Sequence, residues 1–106
     1  MTIFQVGTQG AAPALEVSGL TLRGGARGIL NYGELTVRES RIVGNSSVAG
    51  SGILNFDTLI VERTTIAENH ADEGGGIFSV GGTSTMIIDS TLSGNLATEE
   101  GGAIYT

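Results

Sequence analysis

The chain of 106 residues contains no cysteine, no lysine and only one proline. The lack of cysteine excludes a disulfide scaffold, a thiol nucleophile and a thiolate metal site. All five basic residues are arginine and the net charge is −6, which argues against nucleic acid or an anionic membrane as a partner. Apolar runs extend over only a few residues, which excludes a membrane-spanning helix.

Glycine, by contrast, accounts for 18 residues, without the every-third spacing of collagen. The hydrophobic fraction of 40% is enough to build a core, and the length suits one modest domain. This glycine content therefore indicates an internal repeat of another kind.

Two sequence columns recur along the chain at nearly constant intervals. In the first, glycine or alanine precedes an isoleucine, and the isoleucines lie 24, 24 and 27 residues apart. These are Ile29, Ile53, Ile77 and Ile104. In the second, an asparagine follows an apolar residue by three positions, at intervals of 24 and 26 residues. These are Asn45, Asn69 and Asn95. The two columns together indicate four copies of one unit.

Each copy shows strand-like alternation of apolar residues, interrupted by glycine, serine and asparagine clusters. No window of ten residues has the apolar spacing of an amphipathic helix. Because one copy cannot bury its apolar face alone, the copies must stack, as parallel strands about 4.8 Å apart. The sequence therefore predicts an all-β fold, a right-handed parallel β-helix or solenoid of about four coils. Residues 15–106 are predicted to form the repeats, and residues 1–14 a partial coil or cap.

Equivalent residues of successive coils lie on top of one another in such a fold. The repeated isoleucines are predicted to line the interior, where β-branched side chains pack flush against their neighbours. The repeated asparagines are predicted to stack at one corner as an asparagine ladder. A column of hydroxyl groups at Ser40, Thr64 and Ser90 is predicted to bond to the backbone at another corner.

The repeated motifs resemble those of a known family. An apolar-x-x-Asn motif is followed by a glycine-rich motif ending in isoleucine, as in Gly74-Gly75-Gly76-Ile77 and Gly101-Gly102-Ala103-Ile104. This pattern resembles the β-helix repeats of polymorphic outer-membrane proteins and related bacterial surface proteins, over residues 15–106. The first motif departs from the family, since isoleucine or leucine stands where phenylalanine is usual. The resemblance implies a right-handed parallel β-helix at the cell surface or outside the cell.

The resemblance also implies a long secreted chain with a signal peptide and often an outer-membrane anchor. The first 14 residues contain no arginine or lysine and no continuous apolar core, so they are not typical of a secretory signal. We therefore expect a fragment of a longer protein, or a small protein whose ends a partner covers. End-to-end self-association is a further expectation, because an open strand edge readily pairs with another chain.

Two acidic pairs stand at equivalent places in the last copies. They are Asp72-Glu73 and Glu99-Glu100. Four carboxylates brought together in this way would repel one another unless a cation neutralised them, and Ca²⁺ prefers oxygen ligands. Calcium is thus the one possible cofactor, and the alternative is a solvated turn in which these side chains extend into water.

An apolar and aromatic column follows the isoleucines. Strand alternation would place this column on the outside of the coil, where it could bind a glycan, a protein or a neighbouring subunit. Its members are Leu30, Leu54, Phe78 and Tyr105, with Tyr32 and Phe56 nearby in the first copies. The alternative is that bulges turn some of these side chains inward or that a loop covers them.

We expect the function to be non-catalytic: an adhesin-like or structural bacterial surface module with a possible glycan or protein ligand. The alternative is a remnant of a β-helix polysaccharide lyase or hydrolase, for which Arg38 and Glu62 are the nearest candidates. These two residues are more simply interpreted as a surface ion pair. His70 is the sole histidine, and we expect it to be an exposed turn residue.

Overall fold

The computed structural model describes residues 2–8, 13–80 and 83–105. Within these residues the chain forms fifteen short strands and no helix. Every strand pairing among these residues is parallel, and each strand pairs with its counterpart in a neighbouring coil. The chain is therefore a parallel β-helix of about four coils, as the repeat predicts.

Three sheets run along the length of the coil, and a smaller sheet lies beside them. Sheet A contains β1 (Thr2–Val6), β4 (Arg27–Asn31), β7 (Ile53–Asn55), β11 (Ile77–Ser79) and β15 (Ile104–Tyr105). Sheet B contains β2 (Ala14–Ser18), β5 (Glu34–Arg38), β8 (Thr58–Glu62) and β12 (Ser84–Ile88). Sheet C contains β3 (Thr21–Arg23), β6 (Arg41–Val43), β9 (Thr65–Ala67) and β13 (Thr91–Ser93). The side sheet contains β10 (His70–Glu73) and β14 (Leu96–Glu100).

The core is a stack of aliphatic side chains that point into the coil from all three sheets. Strand alternation sends every second residue inward, so that Leu35 and Val37 of β5 pair directly with Leu59 and Val61 of β8. The same rule pairs like with like in sheets A and C. The largest fully buried apolar side chains are Val6, Ile29, Leu35, Val37, Ile42, Ile53, Leu59, Val61, Ile66 and Ile77. Burial of this continuous stack is the main stabilising contribution to the fold.

Two corners of each coil use a left-handed backbone conformation. The first, between sheets B and C, has positive φ at Gly19, Glu39, Arg63 and Asp89. The second, after sheet C, has positive φ at Gly24, Gly44, Glu68 and Gly94. Because the left-handed conformation costs about 1–2 kcal/mol at a non-glycine residue, four of these corners are held against an intrinsic penalty.

Side chains just after these corners supply the compensating hydrogen bonds. The backbone N–H of Ser40 donates to Thr64 Oγ1 at 3.3 Å, and that of Thr64 donates to Ser90 Oγ at 3.1 Å. Each hydroxyl in turn donates to a carbonyl two residues earlier, such as Ser90 Oγ to Ile88 O at 2.8 Å. The hydroxyl column therefore links one coil to the next at the corner between sheets B and C.

The number of residues between stacked positions is not constant. Contacts of this hydroxyl column join residues 20, 24 and 26 positions apart in successive coils. The extra residues lie at the glycine-rich loop before sheet A and at the turn between sheets A and B. The loop of the second coil, residues 45–52, also bridges to the side sheet through Ser46 with His70 and Ala49 with Glu73.

Burial decreases in the last coil. Ile77 is fully buried, whereas Ile104, which stacks on it, is 39% exposed. In the first residues, β1 pairs with β4 and places Val6 in the core. Residues 1 and 9–12 of the predicted partial coil, and residues 81, 82 and 106 of the predicted repeats, lie outside the described residues. The expected end-to-end association stays a prediction.

Candidate functional site

One corner between sheets A and B presents two aromatic rings to the outside. Tyr32 and Phe56 lie one coil apart, with ring centroids 4.9 Å apart and ring planes inclined by 10°. Phe56 is 39% exposed and Tyr32 is partly buried beneath it. The stacked, partly exposed rings form an apolar patch at this corner, which we call the aromatic corner.

The two rings are positioned by the buried asparagines that precede them. Asn31 Oδ1 accepts the backbone N–H of Gly33 at 2.9 Å, and Asn55 Oδ1 accepts that of Asp57 at 3.2 Å. These are Asx turns, in which an asparagine side chain closes the turn over the residue after it. Because that residue is aromatic in both coils, Tyr32 and Phe56 extend outward in the same direction and stack.

The same asparagines form a ladder that the sequence analysis missed. Asn31 Nδ2 donates to Asn55 Oδ1 at 2.8 Å, and both side chains are fully buried. The signal was present in the sequence, because an asparagine followed by an aromatic residue recurs at the repeat interval. The column of asparagines is short, because Ser79 takes the equivalent place in the next coil.

The predicted asparagines at 45, 69 and 95 occupy the corner between sheet C and the glycine-rich loops. Asn45 Nδ2 donates to Asn69 Oδ1 at 3.0 Å, and Asn69 Nδ2 donates to Asn95 Oδ1 at 3.0 Å. Each oxygen also accepts the backbone N–H of the preceding asparagine. The first coil has Gly25 at this place, and its N–H donates to Asn45 Oδ1 at 3.0 Å. The β-helix is thus braced by two separate asparagine ladders.

The apolar column after the isoleucines stacks in register but is largely covered. Leu30, Leu54, Phe78 and Tyr105 pair in order across sheet A. Leu54 is only 8% exposed, and the other three are half-buried. The contiguous exposed stripe that this column could have formed is therefore not present among the described residues. The backbone of a neighbouring loop packs against part of this column, and a binding role for the column stays a prediction.

Glycines of the neighbouring loop cause this covering. A methyl group added at Gly50 would lie 2.9 Å from Leu54 Cα, and one added at Gly74 would lie 2.7 Å from Phe78 Cβ. Only glycine lets the loop backbone approach so closely, with the positive φ that both positions adopt. The rings of Phe78 and Tyr105 also pack edge to face, with centroids 4.8 Å apart.

The four acidic residues predicted as a calcium site lie on the side sheet. Asp72 and Glu73 are half-buried on β10, and Glu99 and Glu100 are exposed on β14. The strand register pairs Glu73 with Glu100 across a β-bulge. In the described part of the chain, no three acidic or histidine side chains are grouped so that they could hold a metal ion. The calcium site therefore stays a prediction from the sequence pattern.

Hydroxyl groups lie against these carboxylates. Thr98 Oγ1 donates to Asp72 Oδ1 at 2.8 Å. The carboxylate of Glu100, as a hydrogen-bond acceptor and as a negative charge, raises the pKa of Tyr105, and burial and Glu73 add to this effect. Asp72 thus has a neutral hydrogen-bond partner within the protein.

The ion pair predicted between Arg38 and Glu62 is present on the outside of sheet B. Arg38 Nε lies 2.8 Å from Glu62 Oε1, and its Nη1 lies 3.4 Å from Glu16 Oε1. The Nε–H does not point along the line to Glu62, so that contact is an ion pair rather than a hydrogen bond. Glu62 first, and then Glu16, raise the pKa of Arg38. Ion pairs exposed in this way add little to stability, because water and salt screen their charges.

Arg27 has a structural role in the loop of the second coil. Its Nη2 donates to Ala49 O at 2.9 Å and to Ser47 Oγ at 3.3 Å. Burial lowers the pKa of Arg27 relative to a free guanidinium, and the neighbouring Tyr32 works against this shift. Arg27 therefore stabilises this loop.

His70 is exposed on β10, and its backbone N–H and carbonyl form hydrogen bonds with the loop of the second coil.

Two open grooves lie on the outer faces of the coil. One, of about 420 Å³, lies on sheet B and is lined by Glu16, Glu34, Thr36 and Ile60, among others. The other, of about 580 Å³, lies on sheet C, and we call it the arginine groove. It is lined by Arg23, Gly24, Arg41, Val43, Gly44, Ala67 and Glu68. The sequence analysis identified neither groove, because both arise from outward side chains of different coils.

Comparison with known proteins gives one match. Residues 89–106, which span most of the last coil, match the family model of the Chlamydia polymorphic membrane protein repeat. No curated protein and no solved structure matches the chain significantly. No helix in the described part of the chain has the length and apolar character needed to cross a membrane. The resemblance inferred from the motifs is therefore confirmed, by sequence in residues 89–106 and by the stacked parallel coils across the described residues.

Proposed function

We propose that this chain is a non-catalytic module of a bacterial surface protein that binds a glycan through the aromatic corner. The repeat match in the last coil and the β-helix support a surface-protein origin. The observation that supports binding is the stacked, partly exposed pair Tyr32–Phe56, because aromatic rings contribute a large apolar contact area when a ligand covers them.

The rigidity of the corner favours recognition of a flat, apolar face. Both rings rest on Asx turns whose asparagines are fully buried and hydrogen-bonded to each other. A preorganised platform loses little conformational entropy when a ligand binds. The carbon–hydrogen face of a pyranose ring fits such a surface, since it is flat, apolar and similar in size to a phenyl ring.

The enzymatic alternative is less well supported. A lyase on this scaffold needs an arginine or lysine base on the outer face, and Arg38 is the candidate. Glu62 and Glu16 both raise the pKa of Arg38, which opposes loss of the proton that a base must lack. We therefore propose that Arg38 stabilises sheet B through its ion pairs.

The test is retention on immobilised cello-, manno- and chito-oligosaccharides, with matched variants. We expect the wild-type chain to be retained on at least one of them and Phe56→Ser to be lost. Val48→Ser is the control, because Val48 is 70% exposed but lies away from the rings on the loop of residues 45–52. Equal retention of Phe56→Ser and wild type, or no retention on any of the three, would contradict the proposal.

A second measurement addresses the alternative. Incubation of the chain with polygalacturonate, with and without calcium, is followed by the ultraviolet absorbance of unsaturated products. A binding module leaves the absorbance unchanged. A calcium-dependent rise that Arg38→Gln abolishes would establish the lyase instead.

A further inference from the structure

Sheet C presents a second candidate site, the arginine groove, on a different face from the aromatic corner. On adjacent strands, Arg23 of β3 pairs with Val43 of β6, and Val43 pairs with Ala67 of β9. Arg41 lies two residues before Val43 on the same strand and therefore on the same outer face. The two arginines are thus diagonal neighbours on adjacent strands. Beside them, Val43 and Ala67 form the apolar floor of the groove.

Among the described residues, these two arginines differ from the other three in having neither an acidic partner nor a side-chain hydrogen bond. Arg38 and Arg63 pair with carboxylates, and Arg27 is bound to the loop backbone. Within residues 2–8, 13–80 and 83–105, neither Arg23 nor Arg41 has a carboxylate within 4.0 Å, and both are exposed. In a chain with a net charge of −6, two unpaired guanidinium groups on one face form a local site for an anion.

The far wall of the groove has the opposite charge. Glu68 follows Ala67 directly and is exposed at the left-handed corner, with φ of 57°. Gly24 and Gly44 occupy the same corner in the two coils before it, and a methyl group added at either would contact nothing within 4 Å. The backbone at these two corners is therefore uncovered, and the groove volume of about 580 Å³ is large enough for a sugar ring.

We propose that the arginine groove binds a uronic-acid unit of an acidic polysaccharide. The guanidinium groups of Arg23 and Arg41 suit a carboxylate, which they can bind through paired N–H donors. The apolar face of the sugar ring packs on Val43 and Ala67. The sugar hydroxyl groups donate to the carboxylate of Glu68, whereas an acidic peptide offers Glu68 only repulsion.

The proposal is tested by titrating the chain with tri-galacturonate, with maltotriose as the neutral trisaccharide of the same length, and following amide chemical shifts. We expect shifts centred on residues of sheet C with tri-galacturonate and none there with maltotriose. Arg23→Gln and Arg41→Gln should each weaken the affinity about tenfold or more. Arg63→Gln is the matched control, because it removes the same charge from a different corner, and it should leave the affinity unchanged.

The variant Glu68→Ala distinguishes binding of a sugar from binding of an acidic peptide. It should weaken the affinity for tri-galacturonate, through loss of an acceptor, and strengthen that for a tri-glutamate peptide, through loss of repulsion. Tighter binding of tri-glutamate by the wild type, equal binding of maltotriose, or an equal loss in Arg63→Gln would overturn the proposal. Phe56→Ser should leave the tri-galacturonate affinity unchanged, so failure at the aromatic corner and failure at the groove are distinguishable.

Discussion

Asn31 and Asn55 share a hydrogen bond of 2.8 Å between side-chain amides that are both fully buried. Each also closes the turn that displays an aromatic ring on the outside. The same two residues therefore join neighbouring coils and set the orientation of Tyr32 and Phe56. Stability and the geometry of the aromatic corner are coupled at this position.

Replacement of Asn55 by alanine should lower the free energy of unfolding by about 2–4 kcal/mol, because it leaves buried partners without their hydrogen bonds. Asn55 accepts from Asn31 and donates to Asp57 O at 3.1 Å and Ser84 O at 3.2 Å. Urea unfolding measures the change, and near-ultraviolet circular dichroism should lose part of its aromatic signal. Ser46→Ala, at an exposed loop position, should change stability by less than about 0.5 kcal/mol.

Replacing Gly52 or Gly44 by alanine compares how much stability one added methyl group costs at a crowded position and at an open one. At Gly52 the methyl would overlap the backbone carbonyl of Gly76 in the next coil, whereas at Gly44 it would contact nothing within 4 Å. We expect Gly52→Ala to cost about 3 kcal/mol or more from overpacking. Gly44→Ala should cost about 1 kcal/mol, from its left-handed φ of 67° alone. Equal losses in chemical denaturation would contradict the steric explanation.

The interior isoleucines should contribute unequally to the free energy of unfolding, according to their place in the stack. Ile53 has no exposed surface, whereas Ile104 is 39% exposed. Ile53→Ala should therefore destabilise the fold by about 2–5 kcal/mol, through lost burial and a cavity. Ile104→Ala should cost clearly less, because part of its side chain already contacts water. Denaturation midpoints of the two variants test this order, and the reverse order would contradict the register of sheet A.

Alkaline pH should weaken the last coil through Tyr105. Its pKa is raised above the usual value of 10.0, chiefly by Glu100, which favours the neutral hydroxyl in the folded state. A group whose folded pKa is raised contributes stability below its unfolded pKa and loses it as pH rises through the folded pKa. Stability should thus fall from about pH 10 upward, and less so in Tyr105→Phe.

Spectrophotometric titration of Tyr32→Phe checks the same assignment, because Tyr105 is then the sole tyrosine. We expect its ionisation to move to lower pH when Glu100 is replaced by glutamine, since the negative charge is lost. Glu99→Gln is the control, because Glu99 does not contribute to the shift. An unchanged titration in Glu100→Gln would exclude this carboxylate as the cause.

The repeat interval was enough to predict the coil, because stacking follows directly from a column such as Ile53 above Ile77. It could not predict that Leu54 would be covered, since this depends on how closely the backbone of Gly50 approaches. It also could not predict the arginine groove. Arg23 and Arg41 belong to different sequence columns and become neighbours only through the diagonal geometry of adjacent strands.

The variable loop before sheet A has a practical consequence. Between sheet C and sheet A the first coil passes directly through Gly25, whereas the second makes the longer excursion of residues 45–52, yet Ile29 and Ile53 remain in register. In the middle of this excursion the side chain of Val48 is 70% exposed, while its carbonyl accepts the N–H groups of Asp72 and Glu73 in the next coil. A label attached through a cysteine side chain at position 48 would therefore be displayed on a stiff carrier, because the attachment changes neither these backbone hydrogen bonds nor the packing of the isoleucines.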